Sequence, residues 1–554
     1  MLLQINNQQK LQQQQAYDYA ALQSNKRVIK NGQNISSQIY AQKKDAQKRA
    51  LTPVKTSGQK FKQYTSPQIK SIKTMTNVYG GNQLQIQIKP QNKTQLPPIM
   101  TQSAVPQGQK KSVFIGKGNN DQLIREFFEK KGWNVLDSSL KFWTKFNFKW
   151  VQTINEIDWQ FFHDGQQIVN HIQNISIIAT KSGLVQTIKD FESKDKFLAS
   201  SYGIHSSQFM PETFRLDVTR DDYSIEEQNF LNQKNTGLWI NKPTNFNCGK
   251  GIQMVSDIKK FKDEFTRLKS QSYSLRQGKS IASTKFQVFH KKCIIQRYIE
   301  SPLLLDKKKF DMRVYVFIAC TDPLLVLYNP GYLRLSMNDY NKENVDDNNE
   351  KFTHLTNAAI QKKHPNFQKN KENTIWSVER FEKYVMQNYN VSLKQLDELK
   401  KKIKSVLTYV IRSAEKKLDK KQGCFELLGC DILLGSDFTP YLIEMNHNPA
   451  LHLDTVVQSQ VIPQVVNDAL EIVMQIHEKQ EKPELAIKGE FNTRCFQTLI
   501  NEANNFCFLR SQKQNLQQVG SQEIKKDLTP VSTKDKSLST FQTLQSQQSM
   551  KEHS

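Results

Sequence analysis

This sequence has no apolar run approaching the roughly 20 residues of a membrane span, so none is expected. Its first residues, Met1-Leu2-Leu3-Gln4, lack a continuous apolar stretch, and no signal peptide is expected. Cysteine is sparse: Cys248, Cys293, Cys320, Cys424, Cys430, Cys495 and Cys507 form no C-x-x-C pair. Such an odd, scattered set reads as reduced, buried thiols in a cytosolic protein, and not as a zinc site. No Ser-His-Asp or Cys-His constellation has readable spacing, which argues against a hydrolase with a side-chain nucleophile. RNP-like aromatic motifs and Arg-Gly repeats are missing too, so no nucleic-acid partner is expected. Acidic residues are nearly absent from residues 1–112, where 17 Lys or Arg face only Asp18 and Asp45. That stretch therefore carries +15 of the chain's net +25. Rich in Gln, Asn, Lys and Ser, it is too polar to build a core and reads as a disordered basic arm, suited to tethering the protein to a polyanion.

What the chain does have begins at Val113-Phe114-Ile115-Gly116, a first strand. Gln122–Lys131 follows as a short amphipathic helix with Leu123, Ile124, Phe127 and Phe128 on one face. The 554 residues allow two or three domains. We expect a disordered tail over 1–112, a small α/β domain over 113–205, a central domain over 206–305 and a C-terminal domain over 306–480. An extension over 481–554 should be disordered from about 512. In the central unit, strands are expected at Leu238–Lys242 and Cys293–Ile299, separated by a mobile Lys/Ser/Gln-rich insertion at Lys269–Lys285. Three strands follow, Asp311–Cys320, Leu324–Tyr328 and Tyr332–Leu335, punctuated by Thr321-Asp322-Pro323 and Asn329-Pro330-Gly331. Residues 375–418 read as helical and Val461–Glu478 as a closing helix.

The densest chemistry lies in Leu428–Leu434 and Tyr441–Asn446, two apolar strands joined by the turn Gly435–Pro440. Glu444 and Asn446, two apart, share a face. If Gly435 faces Pro440, then Asp431 faces Glu444. Two carboxylates and an amide on one face of a buried hairpin would repel without a cation. Hard oxygen donors suit Mg²⁺, which completes its shell with phosphate oxygens and water. The hairpin thus points to a magnesium–nucleotide site.

Other elements are individually ambiguous. Trp239-Ile240-Asn241-Lys242-Pro243 is a strand ending in lysine, followed by Gly249-Lys250-Gly251, which reads as a tight turn or as a loop admitting phosphates. Cys293–Glu300, with Gln296-Arg297-Tyr298-Ile299, reads as a core strand or as a hinge for a base. Alternation in Lys309-Phe310-Asp311-Met312-Arg313 puts Lys309, Asp311 and Arg313 on one face, either a salt-bridge ladder or the wall of a nucleotide site. Arg334 could add a second guanidinium. In His354-Leu355-Thr356-Asn357, His354 reads as a structural histidine and Asn357 as a helix cap.

Taken in order, these elements resemble an ATP-grasp ligase, and more narrowly the tubulin tyrosine ligase-like family. The resemblance rests on Lys309–Arg313, Gly331–Arg334, His354–Asn357 and Leu442-Ile443-Glu444-Met445-Asn446-His447-Asn448-Pro449-Ala450-Leu451. Upstream, Asn170-His171-Ile172, Thr180–Leu184 and Met210–Phe214 match as well. It covers about 113–480 and implies a mixed α/β (α+β) ATP-grasp fold clamping ATP between two units.

It also implies roles. Lys181, Lys242, Lys309 and the Gly249-Lys250-Gly251 loop would meet ATP phosphates. Gln296, Arg297, Tyr298 and Ile299 would lie at the adenine, and Asp311 near the ribose. Arg313 and Arg334 would hold phosphate or the acidic substrate, and Thr356 and Asn357 would lie beside the γ-phosphate. Asp431, Glu444 and Asn446 would bind Mg²⁺. Pro302–Asp311, Ile318–Thr321, Thr374–Ser377 and Gly429-Cys430-Asp431 look most like the polyglycylase branch. The implied enzyme is an ATP-dependent ligase joining free glycine to glutamate side chains or glycine chains on the acidic tails of tubulin, through an acyl phosphate. A cytoplasmic, cytoskeletal place at microtubules, cilia and axonemes would follow. A polyglutamylase of the same family and a non-catalytic microtubule-binding protein are the alternatives.

Overall fold

The computed structural model describes residues 110–512, except 142, 245, 247–248, 272–290, 344–350 and 478–481. The expected tails, apart from the residues nearest the folded part, and most of the 269–285 insertion lie outside the described residues. Three sheets carry the fold.

The first is parallel, in the order β2 (Asn134–Val135), β1 (Ser112–Ile115), β3 (Phe148–Trp150) and β4 (Ile168–Val169). Helix α1 (Asp121–Lys130) covers it with Leu123, Ile124, Phe127 and Phe128, the apolar face read from the sequence. Beyond β4, Thr180 caps helix α2 (Lys181–Lys194), its hydroxyl accepting from the Gly183 amide at 3.1 Å. That cap fixes Lys181 as the first helical residue.

The second sheet is antiparallel, in the order β5 (Thr213–Asp217), β8 (Lys292–Arg297), β6 (Trp239–Pro243) and β7 (Gln253–Val255). Two of these strands were expected, whereas β5 and β7 are short and lacked a readable pattern. Helices α3 (Ile225–Leu231) and α4 (Ile258–Ser270) bury one face through Phe214, Phe230, Trp239, Phe261, Phe265 and Ile295. The other face, with Ile240, Lys242 and Gln296, looks into a cleft. Helix α4 also takes up Lys269 and Ser270, the expected start of the insertion.

The third sheet has the path β14 (Pro440–Asn446), β13 (Glu426–Leu434), β10 (Lys308–Thr321), β11 (Leu324–Leu335), β15 (Gln497–Asn501), β16 (Phe506–Cys507). Strands β9 (Leu304–Leu305) and β12 (Ile375–Ser377) join its sides. Since β15 pairs with β11, this sheet runs beyond residue 480, the expected end of the C-terminal unit. Strand β10 is buried on both faces, which explains its near-continuous apolar sequence. Val314, Val316 and Ile318 meet the side of α2, α6 (Val378–Tyr389) and α7 (Leu393–Ala414). Tyr315, Phe317 and Ala319 meet the side of α1 and α8 (Val456–His477). A short helix, α5 (Ala358–Gln361), follows Asn357.

Two expected features of this sheet differ in the structure. Tyr332–Leu335 is not a separate strand, because Asn329-Pro330-Gly331 is a bulge within β11 and not a turn. Arg313 pairs with Tyr332 but Tyr315 with Asn329, so β11 holds one extra residue there. Gly331 permits it, with φ +61° and an ideal Cβ that would lie only 1.9 Å from the Arg313 carbonyl oxygen. The hairpin register also holds only in part. Gly429, Cys430 and Asp431 pair with Asn446, Met445 and Glu444, as the turn implies, yet Ile432, Leu433 and Leu434 pair with Leu442, Tyr441 and Pro440. Ile443 is the extra residue. Finally, Ile375–Ser377, within the stretch read as helical, is the strand β12.

Candidate active site

The cleft lies between the second and third sheets. The alternation of β6 sends Ile240 and Lys242 into it, and β8 with the chain beyond it supplies Gln296, Arg297, Tyr298 and Ile299. Strand β10 adds Lys309 and Asp311; His354, Leu355, Thr356 and Asn357 close one side. The hairpin adds Asp431, Leu433, Ile443 and Glu444, and Gly249 and Ile252 come from the glycine loop.

Two lysines are buried here against neutral partners. Lys242 Nζ donates to Gln296 Oε1 at 2.7 Å, and Gln296 in turn donates to Thr213 Oγ1 at 2.8 Å. Lys309 Nζ donates to the Tyr298 hydroxyl at 2.8 Å. Burial, followed by the proximity of Lys242, pulls the Lys309 ammonium down to about 7. Burial likewise brings Lys242 down to about 8, against the opposing pull of Glu444. A third lysine, Lys181, sits at the positive end of α2, an unfavourable place for a cation. Glu444 offsets this, its Oε2 lying 3.3 Å from Lys181 Nζ, which also donates to the Phe246 carbonyl at 3.1 Å.

The floor of the site is saturated with charge pairs. Across the register Asp311 faces Arg334, Arg313 faces Asp431, and Asp431 faces Glu444. Arg334 grips Asp311 with two bonds of 2.7 Å, and its Nη2 also lies 2.7 Å from Asp431 Oδ2. Arg313 Nε donates to Asp431 Oδ1 at 2.7 Å, and Thr356 Oγ1 donates to Asp311. Burial alone would raise the Asp431 carboxyl, but the two guanidiniums hold it far below the usual carboxylate range. Gly429 makes room: a Cβ there would lie 2.7 Å from Pro449 Cβ and 3.2 Å from Arg313 Cδ.

The expectation that the hairpin carboxylates need an external cation is therefore corrected, because Arg313 and Arg334 compensate Asp431 from within the chain. For the same reason neither arginine lines the cleft; both lie beneath it. Lys250 and Gly251 are exposed on the loop, Asn446 donates to Glu444 Oε1 at 3.1 Å, and these three, like Lys181, stand outside the lining. Cys248 lies outside the described residues. Sequence reasoning left out Ile240, Ile252, Leu355, Leu433 and Ile443, which give the cleft its apolar surfaces. Their apolarity was readable, but it could not be told from that of core strands.

Whether Mg²⁺ suits the site turns on its donors. Among the described residues no group of three or more His, Cys, Asp or Glu converges. Asp431 and Glu444 face each other, with Asn446 bonded to Glu444, so the chain offers two carboxylates and an amide oxygen. That set fits Mg²⁺, which typically uses one or two carboxylates and leaves positions for phosphate and water.

A further pair anchors the hairpin. His171 Nδ1 lies 3.0 Å from Glu426 Oε1, and the Ile172 amide donates to Glu426 Oε2 at 2.9 Å. Both side chains are fully buried, and Glu426 begins β13, five residues ahead of Asp431. This pair accounts structurally for the Asn170-His171-Ile172 motif.

Residues 161–482 match the model of the tubulin-tyrosine ligase family. The protein polyglycylase TTLL10 of Rattus norvegicus is 32% identical over 385 residues, 67% of this chain and 54% of that protein. The inactive polyglycylase TTLL10 of Homo sapiens is 30% identical over 402 residues, 66% of this chain and 58% of its own length. The probable tubulin polyglutamylase TTLL9 of Rattus norvegicus is 26% identical over 356 residues, 58% of this chain and 75% of its own. This chain thus spans little more than half of the polyglycylase relatives. Among the described residues no helix is long and apolar enough to cross a membrane.

Proposed function

This chain belongs to the tubulin-tyrosine ligase family, and on that premise we propose that it is an ATP-dependent carboxylate–amine ligase that adds glycine to glutamate side chains or glycine chains on tubulin tails. The observation that carries the nucleotide part is the pair of buried lysines, Lys242 and Lys309, bonded only to neutral groups. A buried ammonium without an anion is costly, and the phosphates of a nucleotide would supply the missing charge. Asp431, Glu444 and Asn446 would hold Mg²⁺, which would neutralise the transferring phosphoryl group. Apolar Ile240, Ile252, Leu433 and Ile443 suit the faces of a base.

In the proposed chemistry the γ-phosphoryl group of ATP passes to an acceptor carboxylate, a poor electrophile, releasing ADP, and the donor amine then attacks the acyl phosphate, displacing phosphate and forming the amide. Lys242 and Lys309 stabilise the charge on the phosphoryl oxygens, and Lys181 joins them if Glu444 turns toward the metal. Arg313 and Arg334 act from beneath by fixing Asp431. Glycine as donor is supported by the polyglycylase names of the TTLL10 relatives. Tubulin tails are strongly acidic, and the +15 carried by residues 1–112 would speed encounter with them at low salt. That acceptor places the enzyme at the cytoskeleton, with cilia and axonemes among the sites. The TTLL9 match supports a second reading, glutamate as donor.

The test is a paired assay with Mg-ATP, microtubules and labelled glycine or labelled glutamate, with Glu444→Gln as control. Incorporation of glycine alone, absent in the variant, is expected. Incorporation of glutamate alone would transfer the function to the second reading. Incorporation of neither by the wild type would sink the ligase proposal for these acceptors.

A further inference from the structure

Lys309 does not stand alone in the cleft. Its Nζ donates to the Tyr298 hydroxyl at 2.8 Å, and that hydroxyl lies 2.8 Å from His354 Nδ1. An ammonium can only donate, so the Tyr298 oxygen accepts from Lys309. His354 Nδ1 thus meets the same oxygen that Lys309 bonds, and a side-chain hydrogen bond also links Tyr298 to Tyr340. All three side chains are nearly inaccessible to solvent, at 6%, 6% and 3% exposure in the order Lys309, Tyr298, His354.

We propose that Tyr298 and His354 are positioning residues, a hydrogen-bonded strut that aims the Lys309 ammonium at the anion the cleft takes up. The proposal rests on the reading of this cleft as a Mg-ATP site and goes beyond it by assigning the two residues that orient one of its cations. Lysine carries its charge on a flexible four-carbon stem, and ordering that stem costs side-chain entropy. A strut already in place removes part of that cost before the ligand arrives, and it leaves two of the three ammonium protons for phosphate oxygens.

The groups facing the strut are consistent with these roles. Lys242 faces Lys309 from β6, and Asp311 faces it from the same strand. The ring of Tyr340 lies 5.7 Å from that of His354. Burial and the nearby Lys309 bring His354 down to about 4, which keeps the imidazole neutral through the neutral pH range. A protonated His354 would have to donate from Nδ1 and would compete with Lys309 for the same phenolic oxygen.

The test measures Mg-ATP binding directly on the full chain across pH, alongside KM for ATP and kcat. Tyr298→Phe removes the oxygen and His354→Leu removes its acceptor, while His354→Asn keeps an acceptor near the Nδ1 position. Loss of one hydrogen bond to a charged group predicts about tenfold weaker binding for Tyr298→Phe. The same loss should appear in KM more than in kcat, and the pH above which binding fades should move down, because Lys309 loses an acceptor for its charged form. His354→Leu should follow in the same direction, and His354→Asn should restore binding to within about threefold, which is less than one full hydrogen bond. If Tyr298→Phe does not fold, the two His354 variants decide. Wild-type affinity and an unmoved pH limb in the folded variants, with only the melting temperature lowered, would reduce the trio to packing and overturn the proposal. If the wild type itself binds no Mg-ATP, the nucleotide reading has failed at its root, an outcome distinct from failure of the strut alone.

Discussion

Lys242 and Lys309 enter the cleft from two different sheets, each buried and each bonded to an uncharged oxygen. A few residues away Asp311, Arg313, Arg334 and Asp431 are buried just as deeply, yet every carboxylate there meets a guanidinium at 2.7 Å. The first arrangement leaves positive charge uncompensated until an anion binds, and the second is complete without any ligand. A buried ion pair contributes little net stability but is costly to break, whereas a lone buried cation is a standing cost that a ligand can relieve. The lysines are therefore the part of the site whose charge awaits an anion, while the arginine–aspartate floor holds Asp431, the proposed Mg²⁺ ligand, in place.

The largest expected effect comes from breaking the floor. Asp431→Ala leaves Arg313 and Arg334 short of an anion and should lower stability by about 3–5 kcal/mol, read as an earlier denaturant midpoint, with loss of ligase activity. Glu444→Gln should abolish activity with far less loss of stability, because the Glu444 side chain itself keeps 18% exposure beside its ion-pair partner Lys181. An unchanged denaturation midpoint in Asp431→Ala would erase the contrast between floor and walls.

Lys309→Met should do the reverse of Asp431→Ala. Mg-ATP binding should weaken by at least tenfold, the scale of one charged hydrogen bond, while the unliganded fold should be as stable as the wild type or more so. The sign with pH follows from the lowered lysine. Between about 7 and the ordinary lysine value, the unfolded chain holds the proton that the folded chain has shed, so wild-type stability rises with pH across that window. The advantage of Lys309→Met should accordingly be greatest below pH 7 and shrink above it, as denaturation at several pH values would report.

Proton uptake sharpens the same contrast. At pH 8 Mg-ATP should draw protons onto Lys309 and Lys242, giving binding heats that depend on the buffer's ionisation enthalpy. Arg313 and Arg334 are charged throughout and cannot contribute. A buffer-independent heat would mean that the lysines are already charged in the unliganded protein. The smallest effect is expected from Lys250→Ala. Lys250 is exposed and outside the lining, so ATP affinity should change by less than about threefold, within the range of a surface charge pair.

How much of this was readable from residues depends on the range of the interaction. Strand parity put Lys309 and Asp311 on one face, and that holds; Asp431 does face Glu444, but the turn premise behind that expectation fails, since Pro440 pairs with Leu434 and the bulge at Ile443 restores the pairing. The bulges at Ile443 and Gly331 were hidden, since an extra residue leaves the apolar pattern almost intact while changing what faces what. Asn329-Pro330-Gly331 has turn chemistry, and only the neighbouring strand turns it into a bulge. The Arg313–Asp431 bond joins residues 118 positions apart, beyond any local pattern. The need for a cation beside the hairpin was legible, but its source, Arg313 and Arg334 of the same chain, was not.

The extra residue at Ile443 has a consequence for how this hairpin can vary in length. Without a bulge, Leu442 and Glu444 would point the same way. With it, Leu442 and Met445 both turn to the apolar interior, while the adjacent Ile443 and Glu444 both turn to the cleft. An apolar part of the cleft wall and the proposed metal ligand Glu444 are thereby consecutive letters of the sequence. Substitution at Ile443 only reshapes that surface, but deleting it forces a choice between burying Glu444 and exposing Leu442. Insertions and deletions within Tyr441–Glu444 should therefore be far less tolerated than point changes there.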